Sequence, residues 1–258
     1  MIKPSTTAAL LLAAALTFSG CKSAPPANSE AVTPDATVAA PAAPNPDAGT
    51  ATGTIHFTGK TPVRTPIDMS MDPACAMSSA ENDAEQFVVA NGKLANVYVY
   101  IKSGAPPSQA PAKTPPVVLD QKGCRYTPHV IALQQGGSVE FHNSDPTMHN
   151  IHTTPASGNP SIDVSQSPMG APQTRQFNQP ETMLPVRCNN HPWMNAFINV
   201  ANTPYFAVSS ADGSFTITGL PPGNYTLAAV HEKLGEQDIQ ISITPKGTAK
   251  ADFTFAQK

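Results

Sequence analysis

Apolar and polar residues alternate with a period of two along nearly every patterned segment of this 258-residue chain. In GTIHFTG, Ile55 and Phe57 fall on one face of an extended strand, and NVYVYIK repeats the arrangement. Turn residues separate such segments, and Asn91-Gly92 is the strongest short hairpin signal among them. Since no segment carries a convincing helical stripe, we predict an all-β protein built from sandwiches with small cores.

The overall composition argues against some classes of function. Only 13% of the residues are charged and the formal net charge is −3, so no basic surface indicates nucleic-acid binding. The 28 prolines and 16 glycines are typical of many short strands joined by turns.

The N-terminus has the features of a secretory signal. Lys3 precedes the apolar run 8–18, which is too short to span a bilayer. The following FSGC resembles the lipobox of bacterial lipoproteins, although Phe18 stands where that family more often has Leu. The resemblance implies removal of residues 1–20 and diacylation of Cys21. The alternative is an ordinary signal peptide with a chance cysteine.

Residues 21–50 are predicted to be a lipid-anchored, disordered tether. Fifteen of the 29 residues in 22–50 are Ala or Pro, so little apolar area is available to offset the entropy of ordering. We therefore expect the folded part to lie in the bacterial cell envelope, facing the periplasm or the exterior, and to contact the membrane only through the anchor.

The remaining cysteines number three if Cys21 is lipidated, and an oxidising compartment favours pairing two of them. Cys75 in DPAC and Cys124 in KGCRY lie in turn-like surroundings, so we predict that they form a disulfide. This pairing leaves Cys188 available for a metal. A bridge from Cys188 to either of the others would exclude that role.

Residues that could bind a metal lie near Cys188 in the sequence. The stretch PVRCNNHPWMNAF places Cys188, His191 and Met194 at equal three-residue spacings, and MHNIH supplies His149 upstream. Thiolate, thioether and imidazole ligands together describe a copper electron-transfer site. Each residue also has an ordinary structural explanation: Cys188 could form a disulfide, His191 could lie on the surface and Met194 could pack in the core. His142 and His152 are alternatives to His149 as the upstream ligand.

Residues 117–200 resemble the blue copper proteins, or cupredoxins, and amicyanin and plastocyanin in particular. The resemblance rests on VVLDQKGCRYTPHVIALQQGGSVEFHNSD, on MHNIH and on CNNHPWM. It implies a Greek-key β-sandwich holding one type 1 copper ion through His149, Cys188, His191 and Met194. It further implies that Asn150 joins the two ligand loops and that the edge of His191 approaches solvent. Pro192 is expected to stiffen the loop, and Trp193 to add apolar surface.

Residues 205–257 resemble the carboxypeptidase regulatory-like domains through SADGSFTITGLPPGNYTLAAVHEKLG. We divide the chain after the tether into a β segment (51–102), a Pro-rich linker (103–116), a copper domain (117–202) and a small β-sandwich domain (203–258). One hypothesis is that 51–102 and 203–258 form a single sandwich with the copper domain inserted between its strands. The other is a simple string of modules.

These features favour a monomeric electron carrier rather than an enzyme, exchanging single electrons with redox proteins such as a cytochrome or a dehydrogenase. Copper storage or delivery would use the same ligands without a redox task. A third hypothesis is an envelope binding module in which the metal is structural.

Overall fold

The computed structural model describes residues 45–77, 82–108, 110 and 113–257. The proposed lipidation site Cys21, the signal segment and most of the tether lie outside the described residues. The described part contains nineteen strands and one four-residue helix, α1 (Pro73–Ala76), so the predicted all-β class is confirmed. The strands are β1 (Gly49–Thr58), β2 (Val89–Ala90), β3 (Lys93–Leu94), β4 (Tyr98–Ser103), β5 (Val117–Gln121), β6 (Tyr126–Thr127), β7 (Val130–Gln134), β8 (Ser138–Asn143), β9 (His149–Thr153), β10 (Asp163–Gln166), β11 (Gln173–Gln176), β12 (Glu181–Arg187), β13 (Asn195–Ala201), β14 (Phe206–Val208), β15 (Ser214–Leu220), β16 (Gly223–His231), β17 (Gly235–Ile243), β18 (Thr248–Lys250) and β19 (Phe253–Ala256).

Strands β5 to β13 form what we call the central sandwich. One of its sheets has the order β10-β9-β12-β13-β7 and the other has the order β11-β8-β5-β6. Leu119 and Phe141 from one sheet meet Ile151 and Ile198 from the other in a single buried core. The burial follows the sequence pattern, because alternate residues of β8 are buried.

Strands β1 to β4 and β14 to β19 form the flanking sandwich. β1 pairs with β15, β18 and β19, whereas β4 lies between β14 and β16. The turn joining β2 to β3 has positive φ at Asn91 and Gly92, as the Asn-Gly pair predicts. The chain thus leaves this sandwich after β4 and returns to it at β14, while the division into domains stays a prediction.

Part of the segment between β1 and β2 packs against the central sandwich, although Phe87 near its end packs against the core of the flanking sandwich. Met69 and Cys75 are buried in the core of the central sandwich, and Ile67 packs against that core. This segment therefore brings residues from near the start of the chain to the end of the central sandwich that carries the ligand loops.

Two further contacts connect the parts of the chain. Ser108 of the Pro-rich linker donates its backbone N–H to Asn202, at 2.7 Å, so the linker runs beside the central sandwich. The buried side chains of His129 and Glu232 form a 2.6 Å contact between the central and flanking sandwiches. α1, the helix found among the described residues, has four residues and could not span a bilayer.

Candidate metal centre

The strand order of the central sandwich brings the predicted ligands to one end. β9 lies beside β12, with His152 opposite Arg187, so the start of β9 lies beside the chain that follows β12. His149 is the first residue of β9, and Cys188 is the first residue after β12. His191 and Met194 occupy the short connection from β12 to β13.

His149, Cys188 and His191 form a compact, buried group. Their candidate ligand atoms all lie within 4.8 Å of one another. Nδ1 of His149 is 2.9 Å from Nδ1 of His191, and Sγ of Cys188 is 3.5 Å from the latter atom. The structure therefore directs two imidazole nitrogens and one sulfur toward a common point, as expected for three ligands of one ion.

Each of the two histidines contacts a carboxylate through its other ring nitrogen. Nε2 of His149 lies 2.9 Å from Oδ2 of Asp145, and Nε2 of His191 lies 3.1 Å from Oδ2 of Asp72. Histidines that bind metals commonly donate their second N–H to a carboxylate, which sets the tautomer and the ring orientation. Nδ1 is therefore left as the inward-facing donor atom of both rings.

Both carboxylates are held by other groups. Asp145 accepts the backbone N–H groups of Gly123 and Cys124, at 2.7 and 2.8 Å. Asp72 accepts the hydroxyl of Thr147, at 2.8 Å, and the N–H of Ala74 at the start of α1. The hydrogen bond from Thr147 does most to lower the pKa of Asp72 to about 2; burial opposes this and His191 adds to it. Asp72 is therefore negatively charged at neutral pH.

The free thiol of Cys188 is poised for deprotonation. Burial alone would raise its pKa, but hydrogen bonds from His149, from the backbone N–H groups of Asn150 and Asn190, and from His191 lower it to about 7. A thiolate is the form that binds metals. Burial likewise opposes the charged form of His149, yet Asp145 and Cys188 hold the pKa of that imidazole above its usual value.

Met194 is buried and belongs to the same core cluster as Cys188. Its backbone N–H donates to the carbonyl of His191, at 2.9 Å, and its own carbonyl accepts the N–H of Cys188, at 3.3 Å. These bonds fold the connection into a tight turn. Its role as the fourth ligand stays a prediction.

Asn150, which follows His149 in β9, connects that strand to the Cys188 segment and to β10. Its side-chain oxygen accepts the N–H of Asn189, at 3.4 Å, and its amide donates to Asp163 at 2.9 Å. The hydroxyl of Tyr126 donates to the Asn150 carbonyl, which further restrains this position.

Pro192 and Trp193 follow His191 in the connection. Pro192 is exposed, whereas Trp193 is half-buried with its ring centroid 5.2 Å from that of His191. The indole N–H of Trp193 donates to the Cys124 carbonyl, at 3.1 Å. Trp193 therefore connects the ligand loop to the segment that carries Cys124.

Cys75 and Cys124, which are 49 positions apart in the chain, are joined by a disulfide. The Cys75 sulfur lies within 4.8 Å of candidate ligand atoms of Asp72 and His191, and the Cys124 sulfur lies equally near those of Asp145 and His149. The bridge thus lies directly behind both histidine–carboxylate pairs and attaches the Asp72 segment to the central sandwich.

The competing histidines lie elsewhere. His142 contacts Glu140 and His152 contacts Asn189, and neither belongs to a possible metal-binding group within the described ranges. His191 is 4% exposed, and Asp72 lies against its outer ring nitrogen. The segment between β1 and β2, which carries Asp72, therefore covers part of the ligand end of the sandwich.

Sequence reasoning missed both carboxylates. Asp145 lies four positions before His149, so the stretch NSDPTMHN contains a signal for it. Asp72 lies 119 positions before His191, and nothing local connects the two.

Comparison with known proteins supports parts of this description. The family model of the carboxypeptidase regulatory-like domain matches residues 186–256, so the resemblance of the C-terminal strands is confirmed. The match begins within β12 and covers a minority of the chain. No curated protein matches the chain.

Among solved structures, the copper-containing nitrite reductase NirK from Thermus scotoductus SA-01 aligns over 55% of this chain at 21% identity, with a TM-score of 0.32. This chain covers 28% of the nitrite reductase. A Cu(I) amicyanin with a methionine-to-alanine substitution aligns over 40% of this chain and 98% of its own length, at 19% identity and a TM-score of 0.30. An oxidised proline-to-glycine amicyanin gives the same coverage and identity, with a TM-score of 0.31. With likenesses this weak, the interpretation of the site depends on its own geometry.

Proposed function

We propose that the central sandwich binds one copper ion and carries single electrons between redox proteins. One observation carries the proposal: Cys188 and the Nδ1 atoms of His149 and His191 converge in a buried site. The outer nitrogen of each ring contacts a carboxylate, so both imidazoles are oriented before any ion binds.

The donor set fits copper. Two imidazoles and a thiolate, with a weak thioether beside them, are the ligands of type 1 electron-transfer sites, and soft sulfur ligands favour Cu(I). Cys188 and both histidines are available for this role, and Met194 is the buried sulfur in the same connection. Copper bound here would supply the change between Cu(I) and Cu(II).

The chain itself keeps the ligands in place in both oxidation states. The N–H groups of Asn150 and Asn190 donate to the Cys188 sulfur and stabilise its thiolate form. The nearby disulfide and the two carboxylates restrain the surrounding segments. A ligand set held in this way changes little when an electron arrives or leaves, which favours rapid transfer.

We place this carrier in the bacterial cell envelope, anchored through a lipid on Cys21 and acting as a monomer. The disulfide between Cys75 and Cys124 supports an oxidising compartment. The partners we propose are redox proteins that dock transiently, since electron-transfer contacts are generally small.

Storage or delivery of copper is the competing function. A site in which every proposed ligand is at most 4% exposed should release its ion slowly, which favours electron transfer over delivery. A reversible one-electron titration with slow copper release supports the carrier. Rapid release to a chelator without reversible redox behaviour supports delivery.

The decisive experiment is metal analysis and visible spectroscopy of the purified full chain after exposure to copper and zinc together. We expect one copper per chain and an intense thiolate-to-copper absorption band. Cys188→Ser should abolish the band and leave the far-UV circular dichroism unchanged. Zinc in place of copper, or an unchanged band in the variant, would overturn the proposal.

A further inference from the structure

A shallow surface opening leads to the proposed copper site. Its lining consists of Met71, Asp72, Thr147, Met148, Asn190 and His191. Because His149, Cys188, His191 and Met194 are all almost fully buried, an ion must pass another part of the surface to reach them. Of these ligands, His191 lines this opening.

Exposed methionines flank the opening. Met71 is 74% exposed and Met148 is 49% exposed, although side chains of this size and polarity are usually buried. They come from separate segments, Met71 from the turn before α1 and Met148 from the residue before β9. Asp72 follows Met71 in the chain, and Thr147 precedes Met148. The Thr147 hydroxyl donates a hydrogen bond to Asp72 at 2.8 Å, which joins the two segments.

The chemistry of these groups selects one kind of ligand. Thioethers are soft, uncharged donors that favour Cu(I) over hard cations. The Asp72 carboxylate lines the same opening, against His191, and an acidic side chain there favours a cation. His191 and then Cys188 lie directly behind this carboxylate.

We infer that Met71 and Met148 form a loading site that captures Cu(I) and passes it to His191 and Cys188; this inference rests on the proposed copper-binding function. The transfer is a ligand exchange without a change of oxidation state. The sulfur–copper contacts of the methionines break while bonds to the imidazole and the thiolate form. Any proton on the Cys188 thiol is released to water.

The test measures the rate of Cu(I) uptake. The full-length apoprotein receives Cu(I) from its complex with a coloured aromatic chelator, without oxygen, and the loss of the chelate colour is followed. In the double variant Met71→Leu and Met148→Leu we expect uptake to slow about tenfold. Leu keeps the apolar surface and nearly the same volume, so the change removes mainly the thioethers.

The matched control is Met77→Leu with Met169→Leu, since these methionines are 84% and 69% exposed and do not line the opening. Its uptake rate should equal that of the unmodified protein. The final absorption band and the reduction potential should be unchanged in both double variants. Uptake of Cu(II) should be affected much less, because this borderline ion binds thioethers more weakly than Cu(I) does.

Equal Cu(I) uptake in all three proteins would overturn the loading site and leave the proposed function intact. Equal slowing in both double variants, or slowing of Cu(II) to the same degree, would also overturn it. If the unmodified protein binds no copper at all, the proposed function and the loading site both fail.

Discussion

Asp72 lies against the outer edge of His191, with Oδ2 3.1 Å from Nε2, although 119 positions separate the two residues in the chain. The carboxylate reaches this position because α1 begins directly after it and Cys75, within that helix, is bonded to Cys124. A residue from outside the central sandwich therefore restrains a proposed copper ligand, and the copper potential should respond to it.

Asp72→Asn should raise the reduction potential by about 60 mV, the one-electron equivalent of a tenfold change in equilibrium. With copper bound as proposed, the carboxylate would stabilise the more positive Cu(II) state, and the amide would remove that charge while it still caps α1. Redox titration of the copper-loaded protein measures the shift. Asp68→Asn is the matched control, because Asp68 lies in the same segment and, among the described residues, its side chain bonds with Ser70 in its own turn. Equal potentials for Asp72→Asn and the unmodified protein would contradict the electrostatic role.

Met194→Leu should retain copper and raise the reduction potential. The axial ligand tunes the potential of such sites, and Leu cannot donate electron density to Cu(II). The two side chains have similar volumes, so this buried position should tolerate the exchange with a loss below about 1.5 kcal/mol. The potential and the copper content are measured together. An unchanged potential would show that Met194 is core packing and not a ligand.

The paired substitution Cys75→Ala and Cys124→Ala should lower the free energy of unfolding by about 4 kcal/mol. The bridge closes a loop across 49 positions, and in the chain-entropy model its loss stabilises the unfolded state by that amount. Denaturant unfolding measures the difference. A reducing dithiol should bring the unmodified protein close to the stability of the variant, whereas the variant itself should not respond. If the dithiol also lowered the stability of the variant, the loss of stability would not come from this disulfide.

The stability of the protein should fall between pH 6.5 and pH 4 because of His231. Burial lowers the pKa of His231 to about 4, with Glu232 acting in the opposite direction. Below pH 6.5 the imidazole of His231 binds a proton in the unfolded chain, whereas in the folded chain it binds that proton only near pH 4. The stabilisation is therefore complete above pH 6.5, and about 3 kcal/mol is lost over this window.

The variant His231→Asn isolates this effect when its free energy of unfolding is measured as a function of pH. Asn can still accept the Lys233 N–H, which Nδ1 of His231 accepts at 3.2 Å. The variant should be less sensitive to acid over the same interval, whatever its absolute stability. Parallel pH profiles for the two proteins would assign the acid sensitivity to other groups.

Much of the fold follows from local patterns. Alternation predicts the strands because successive side chains of a strand point to opposite faces, and Asn91-Gly92 predicts its hairpin through the positive φ that both residues adopt. The spacing of Cys188, His191 and Met194 is also local, so the loop that carries them is recognisable without a structure.

Other features depended on which segments become neighbours. The contact of Asp72 with the outer edge of His191 has no signal in the sequence, because Asp72 lies in a segment that precedes the central sandwich in the chain. The proximity of the disulfide to both histidine–carboxylate pairs has no signal in the spacing of Cys75 and Cys124.

The strand-forming segments, the short ligand loop and the chemical types of its donors are encoded locally, since they depend on residues only a few positions apart. The contact of Asp72 with His191 and the place of Met71 at the same opening as Met148 arise from the fold. Contacts between residues so far apart are set by the packing of the whole chain, and no short window of residues encodes them.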